Sequence, residues 1–257
     1  MNEFIPTSER HRQILSLLSR QGRLSVSEIV QQFAISEATA RRDLEFLASE
    51  GKIQRVHGGA IAIEQAPPEL PILERESEQR DEKMRIGRAA ASLIADKETV
   101  FLGSGTTVLE VAKNLRDRKN LTVITNSLPV LNVLAGLRDI TVIALGGMLR
   151  DSELSFIGHI TEQALAELRV DKVIIGTRGI SFEYGLTNDY LQETLTDRAI
   201  LRIGREVIIV ADHTKVNRVS TVLLAPLSSV QAFVTDSQAD KKFLQSLQKQ
   251  GIRVIVA

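Results

Sequence analysis

The chain has 257 residues, no cysteine, and 32 Lys and Arg balanced by 32 Asp and Glu. That excludes disulfides and thiolate metal sites, and it argues against indiscriminate polyanion binding while leaving room for a local basic surface. The length allows one or two domains with an ample core, no apolar run is long enough to span a bilayer, and the N-terminus carries no signal-peptide pattern. The expected location is therefore the cytoplasm, with no membrane partner.

In chain order, residues 9–20 form a first amphipathic helix with Ile14, Leu15, Leu17 and Leu18 as its apolar face. Ser25-Val26-Ser27-Glu28 is a capping box that opens a short helix through Phe33. Ser36 caps a third helix, where Glu37 complements the helix dipole and Ala40, Leu44 and Leu47 face a core. Thr39, Arg41 and Arg42 lie outside that stripe, near the helix start, where a recognition helix touches base edges. The two arginines stand about 100° apart, so one reads bases while the other holds backbone, or both belong to a solvated face. Asp43 either braces an arginine or repels misplaced phosphate. Gly51 stops the helical pattern, and a β-like ribbon follows, ending in His57-Gly58-Gly59. Helix, short helix, tight turn and basic helix make the helix-turn-helix plan.

This stretch resembles the helix-turn-helix of DeoR-type bacterial transcription regulators. The matching residues are Ser36, Thr39, Arg41, Arg42, Asp43, Leu44, Gly51, Arg55, His57, Gly58, Gly59 and Ala60. The resemblance implies a double-stranded DNA operator as partner and a wing bearing Arg55 and His57, although His57 also reads as a plain turn-flanking residue. The expected DNA-contacting set is Ser25, Ser36, Thr39, Arg41, Arg42, Arg55, His57 and Gly58.

Pro67, Pro68 and Pro71 stiffen the next segment and mark a domain boundary. The expected division is a winged helix-turn-helix over 1–62, a linker over 63–80 and an α/β domain over 81–257. Residues 74–85 alternate in charge and read as the exposed start of a helix running on through Ile94, either a lever or a packing helix. From Val100 onward, β-branched runs alternate with helical stretches: 100–102, 121–124, 140–145, 171–175, 207–210, 232–236 and 252–256. Such alternation implies a largely parallel sheet covered on both faces.

Ligands of open α/β sheets bind beyond the carboxyl ends of the strands. Those ends here carry Ser104-Gly105-Thr106-Thr107, Thr125-Asn126-Ser127, Gly146-Gly147 and Gly176-Thr177-Arg178-Gly179. The first offers backbone N–H groups at a helix start, suited to phosphate, or it is a structural glycine turn. The second serves equally as a helix cap. Arg150, Arg178 and Lys215 nearby favour an anionic ligand. The expected ligand-binding set is Ser104, Gly105, Thr106, Thr107, Thr125, Asn126, Ser127, Gly147, Arg150, Arg178, Asp212 and Lys215.

These pieces, with Gly185-Leu186-Thr187, also resemble the DeoR-type sensor domain, which is similar to ribose-5-phosphate isomerase. The resemblance covers nearly the whole chain. It implies a winged helix-turn-helix joined to an isomerase-like α/β sensor with a mostly parallel sheet. It also implies a repressor of carbohydrate-metabolism genes that a phosphorylated sugar or related anionic metabolite relieves. Many such relatives carry an aspartate where this chain has Gly103, an acid where it has Arg178, and a basic pair where it has Asp197-Arg198. An arginine at 178 prefers phosphate or carboxylate over sugar hydroxyls.

An isomerase would need a positioned carboxylate base and a cation for the enediolate. Asp212 or Glu193 as base and Lys215 or Arg178 as cation show no evident pairing, and His159 and His213 stand isolated. The chain is therefore expected to be no enzyme and to need no cofactor or metal. The alternatives are an isomerase-like enzyme with a DNA-binding domain, or a ligand-dependent activator. A single helix-turn-helix reads a short half-site, so a homodimer or homotetramer is expected.

Overall fold

The computed structural model describes residues 6–49, 52–56, 58–62, 64–65 and 70–257. The chain divides into two compact units, Met1–Gln65 and Ala66–Ala257. Gly51, His57, Pro67 and Pro68 lie outside the described residues.

In the first unit, α1 (Thr7–Gln21), α2 (Val26–Phe33) and α3 (Glu37–Ser49) pack around Ile14, Leu18, Ile29, Ala40, Leu44, Leu47 and Ile53. The capping box at Ser25 forms as expected: Glu28 N–H donates to Ser25 Oγ at 3.2 Å, and Ser25 N–H donates to Glu28 Oε2 at 2.6 Å. Ala34 takes a left-handed conformation (φ 52°) and ends α2 tightly enough for α3 to start at once. Strands Ile53–Val56 and Gly59–Ala62 form the ribbon of the wing, and Arg23–Ser25 adds a third antiparallel strand beside Gly59–Ala62. Gly59 has a steric cause: a Cβ there would stand 2.2 Å from the Leu24 carbonyl oxygen of that third strand.

In the second unit, seven parallel strands run in the order Arg253–Val256, Ala232–Thr235, Gly204–Val210, Val170–Ile175, Thr99–Leu102, Leu121–Thr125, Ile140–Ala144. Side chains alternate between the faces, as strand geometry requires. Val100, Leu102, Val123, Ile174, Ile208 and Val234 face one core, which α4 (Arg80–Ala91), α5 (Thr106–Lys113) and α6 (Leu128–Leu134) cover. Phe101, Ile124, Val173, Ile175, Ile209 and Phe233 face the other, covered by residues from α7 (His159–Ala166), α8 (Leu191–Ile203) and α9 (Lys241–Lys249). Among the described residues no helix is long and apolar enough to cross a membrane.

Two features depart from the sequence reading. The helix expected from 74 to 94 is broken: a 3-10 turn at Glu74–Glu76 precedes α4, and Gln79 between them has φ 47°. The charge alternation there does not mean exposure. Arg75 and Lys83 are buried, and so is Ile72, which puts the latter part of the expected linker against the α/β unit. Outside the main sheet, two antiparallel insertions escaped the strand pattern. One is the hairpin of Met148–Arg150 with Ser155–Ile157; the other pairs Gly179–Ser181, Gly185–Asn188 and Val222–Ala225.

Candidate functional site

On the first unit, α3 presents Arg41 and Arg42 to solvent, while Ala40, Asp43, Leu44 and Leu47 turn inward. Ser36 Oγ accepts from Thr39 N–H at 3.1 Å and lies 2.8 Å from Thr39 Oγ1, so this cap orders the turn that aims the helix start. Arg41 bonds Glu37 one turn back. No partner for Arg42 is found among the described residues. Asp43 does not brace either arginine of its own helix. Arg10 on α1 donates to it through Nε at 2.6 Å and Nη2 at 3.0 Å, and His11 Nε2 lies 3.0 Å away. His11 also stacks on Phe46 with ring centroids 5.0 Å apart. These contacts fix the angle of α3 against α1. Ser25 commits its hydroxyl to the α2 cap, and Arg55 folds back to the Gly59 carbonyl at 3.4 Å. Gly58, at φ 84°, makes the ribbon's turn and accepts from Val26 N–H at 2.8 Å.

On the second unit, a cavity opens where Thr99–Leu102 and Val170–Ile175 lie side by side. The chain leaves these neighbours in opposite directions, to Leu121–Thr125 on one side and Gly204–Val210 on the other. This is the switch point at which an open α/β sheet parts its loops and leaves a crevice. The cavity holds about 90 Å³, room for several water-sized groups. Ser104, Gly105, Thr106 and Thr107 line it from the start of α5, and Arg178, Asp212 and Lys215 line it from other strand ends. Gly105, at φ 111°, turns the chain so that α5 begins at the cavity wall. Gly103 has a packing cause: a Cβ there would stand 2.8 Å from the Ile175 side chain.

Several residues expected in the site do other work. Thr125, Asn126 and Ser127 are buried away from the cavity lining. Asn126 Nδ2 donates to the Phe156 carbonyl at 2.9 Å, Phe156 N–H donates back to Asn126 at 2.7 Å, and Ser127 caps α6. Together they fasten the 148–157 hairpin to the sheet. Gly147 is a close-packing position, where a Cβ would meet Thr161 Oγ1 at 2.2 Å. Arg150 reaches the cavity only through its ion pair with Glu193, and its guanidinium lies 4.4 Å above the Tyr190 ring. His213 is not isolated: its Nδ1 lies 3.1 Å from buried Asp236.

Other cavity residues gave no signal in the sequence pattern. Arg75, Lys83, Glu153 and Asn188 all line it. Arg75 Nη2 stands 2.6 and 2.7 Å from the two Glu153 oxygens, and Arg178 Nη2 donates to Glu153 Oε1 at 2.9 Å. Burial pushes the Glu153 carboxyl up to about 7, against the pull of Arg75. Burial, then the charge of Glu193, pushes Asp197 well above the usual carboxylate range. Asn188 donates to Asp197 at 2.8 Å. Burial lowers both Lys83 and Lys215, opposed by the nearby charge of Asp212. The cavity thus joins backbone N–H groups with buried cations and their counter-charges, an arrangement suited to a small anionic molecule.

Two family models match the chain: a DeoR-like helix-turn-helix domain over residues 10–66 and a DeoR C terminal sensor domain over residues 78–237. It is 36% identical to the transcriptional repressor AccR of Agrobacterium fabrum over 236 residues, covering 91% of each chain. It is 36% identical to the glycerol-3-phosphate regulon repressor of Escherichia coli over 247 residues, covering 96% of this chain and 98% of that one. Among solved structures, ribose 5-phosphate isomerase A of Methanocaldococcus jannaschii aligns at a TM-score of 0.40 and 16% identity, over 54% of this chain and 55% of that one. With its arginine-bearing α3, its wing and its strand-end cavity, the chain belongs to the DeoR family of helix-turn-helix transcriptional regulators.

Proposed function

We propose that this regulator is a repressor of carbohydrate-metabolism genes, that the cavity at the sheet's switch point binds a phosphorylated sugar or related anionic metabolite, and that binding releases the DNA. One observation carries the ligand half of this reading. The start of α5, from Ser104 to Thr107, faces the same cavity as Lys83, Arg178 and Lys215. Backbone donors and cations aimed at one space suit a phosphate. The relatives are transcriptional repressors, which supports the DNA half. On α3, Thr39, Arg41 and Arg42 would meet the major groove, with Arg55 and Gly58 on the wing beside it, and His57 belongs to the same expected set.

The cavity binds without turnover in this reading. Glu153 is held by Arg75 and Arg178, Glu193 by Arg150, and Asp212 accepts from Thr214 N–H at 3.0 Å. A carboxylate so engaged is a poor proton shuttle, and a ketose–aldose assay checks this. Control of the operator is allosteric: the ligand favours the DNA-incompetent arrangement by its differential affinity for the two. The working species is a homodimer or homotetramer reading paired half-sites.

The experiment is a mobility-shift titration on the chain's own promoter region with a panel of sugar phosphates. Lys215→Met and Thr106→Ala are each expected to raise the ligand concentration for half-release about tenfold or more, the scale of one charged hydrogen bond. Basal DNA affinity should stay within about twofold. Loss of DNA binding in the absence of ligand, in both variants, would assign these residues to folding instead.

A further inference from the structure

The cavity holds a carboxylate of its own. Glu153 is buried between two guanidiniums from distant parts of the chain, Arg75 in the 3-10 turn and Arg178 after strand Val170–Ile175. It stands in the turn of the 148–157 hairpin, and the next residue, Leu154, has φ 49°. A leucine seldom adopts that left-handed region, so the turn is held against its backbone preference. Asn126 and Ser127 fasten the strand Ser155–Ile157, while the turn itself is held by Leu128 N–H on the Leu154 carbonyl at 2.9 Å and Ile72 N–H on the Ser152 carbonyl at 2.7 Å.

We propose that the ligand of this cavity carries a carboxylate as well as its phosphate, and that this carboxylate replaces Glu153 between Arg75 and Arg178. The inference rests on reading the cavity as the effector site. Glu153 lies between two guanidiniums, and although Arg178 also stands 3.6 Å from Asp189, a sugar hydroxyl in place of Glu153 would take one negative charge out of this buried group. A carboxylate keeps that charge, and it accepts the same hydrogen bonds in the same geometry. Phosphate and carboxylate then divide the cavity's donors, with the α5 start and Lys215 for one and Arg75 with Arg178 for the other. Burial has lifted the Glu153 carboxyl to about 7, with Arg75 and Arg150 opposing and Glu193 reinforcing. Its departure removes the side-chain tie between the hairpin turn and Arg75 and leaves the backbone bond from Ile72 N–H to the Ser152 carbonyl.

The test uses the full chain and two matched probe pairs: 3-phosphoglycerate against glycerol 3-phosphate, and 6-phosphogluconate against glucose 6-phosphate. Calorimetric titration is expected to show, in at least one pair, the acid binding about tenfold or more tightly than its partner. Arg178→Met should bring that ratio to about one, and Glu153→Gln should tighten the acid further. The wild-type ratio stands as a test should either variant misfold. Equal binding within both pairs, or preference for the uncharged end, with Lys215→Met still abolishing it, overturns the carboxylate seat but leaves the cavity as effector site. Binding of no probe, or binding indifferent to Lys215→Met, overturns both.

Discussion

Asp43→Ala is expected to melt the N-terminal unit at least about 10 °C below the wild type. Asp43 and Arg10 are each buried to within a few per cent, and two hydrogen bonds join them across α1 and α3. Removing one member of a buried ion pair costs about 3–5 kcal/mol, because the other keeps its desolvation penalty. A unit of this size has roughly 3–10 kcal/mol in total, so the loss takes a large share of it. DNA binding should fail at growth temperature while the α/β unit melts as before. The paired substitution Arg10→Met with Asp43→Leu should recover most of the loss, since apolar replacements of a whole buried pair are near neutral. A melt of Asp43→Ala within a degree or two of wild type would dismiss the account.

The same contact predicts acid sensitivity. Burial pushes the Asp43 carboxyl up, but the bonds from Arg10 and His11 outweigh it and hold the group below its ordinary value. A depressed carboxyl contributes stability that is complete above the unfolded value, about 3.9, and is lost as pH falls through the lower folded value. Asp43→Ala should therefore flatten the acid limb of the N-terminal melt.

Arg42→Ala is expected to weaken binding at the cognate operator by about 1–3 kcal/mol, or roughly 5- to 150-fold. Its neighbour Arg41 divides its guanidinium with Glu37, whereas Arg42 stands exposed on the same helix turn. If Arg42 reads a base, the loss is confined to the cognate sequence. If it clamps phosphate, affinity falls on all duplexes and the salt slope shrinks by about one. Operator titrations at several salt concentrations separate these outcomes, and unchanged affinity in all of them removes Arg42 from the interface.

Local chemistry made much of this legible in advance. The Ser25 and Ser36 caps, the inward stripe of α3 and the β-branched runs of a two-faced sheet follow from spacing alone. What escaped depends on contacts between distant residues. Glu153 sits in a turn with no periodic signal, and Arg75 and Lys83 sit in a charge-alternating stretch whose pattern suggests exposure. Their burial is decided by partners far along the chain. Thr125, Asn126 and Ser127 erred the other way: a polar strand end looks the same whether it meets a ligand or ties down a hairpin. Gly103 and Gly147 were likewise opaque, since their cause is a neighbouring side chain.

The strict parallelism of the seven strands also bears on how the molecule is made. Every pairing in that sheet joins segments separated by a crossover, so loop closure precedes any reward and folding is slow. The three-helix unit relies on nearer neighbours and leaves the ribosome first. At about 5–20 residues per second, the rest of the chain takes on the order of ten seconds or more to follow. During that interval a nascent regulator has its reading head formed while its sensor is still being synthesised.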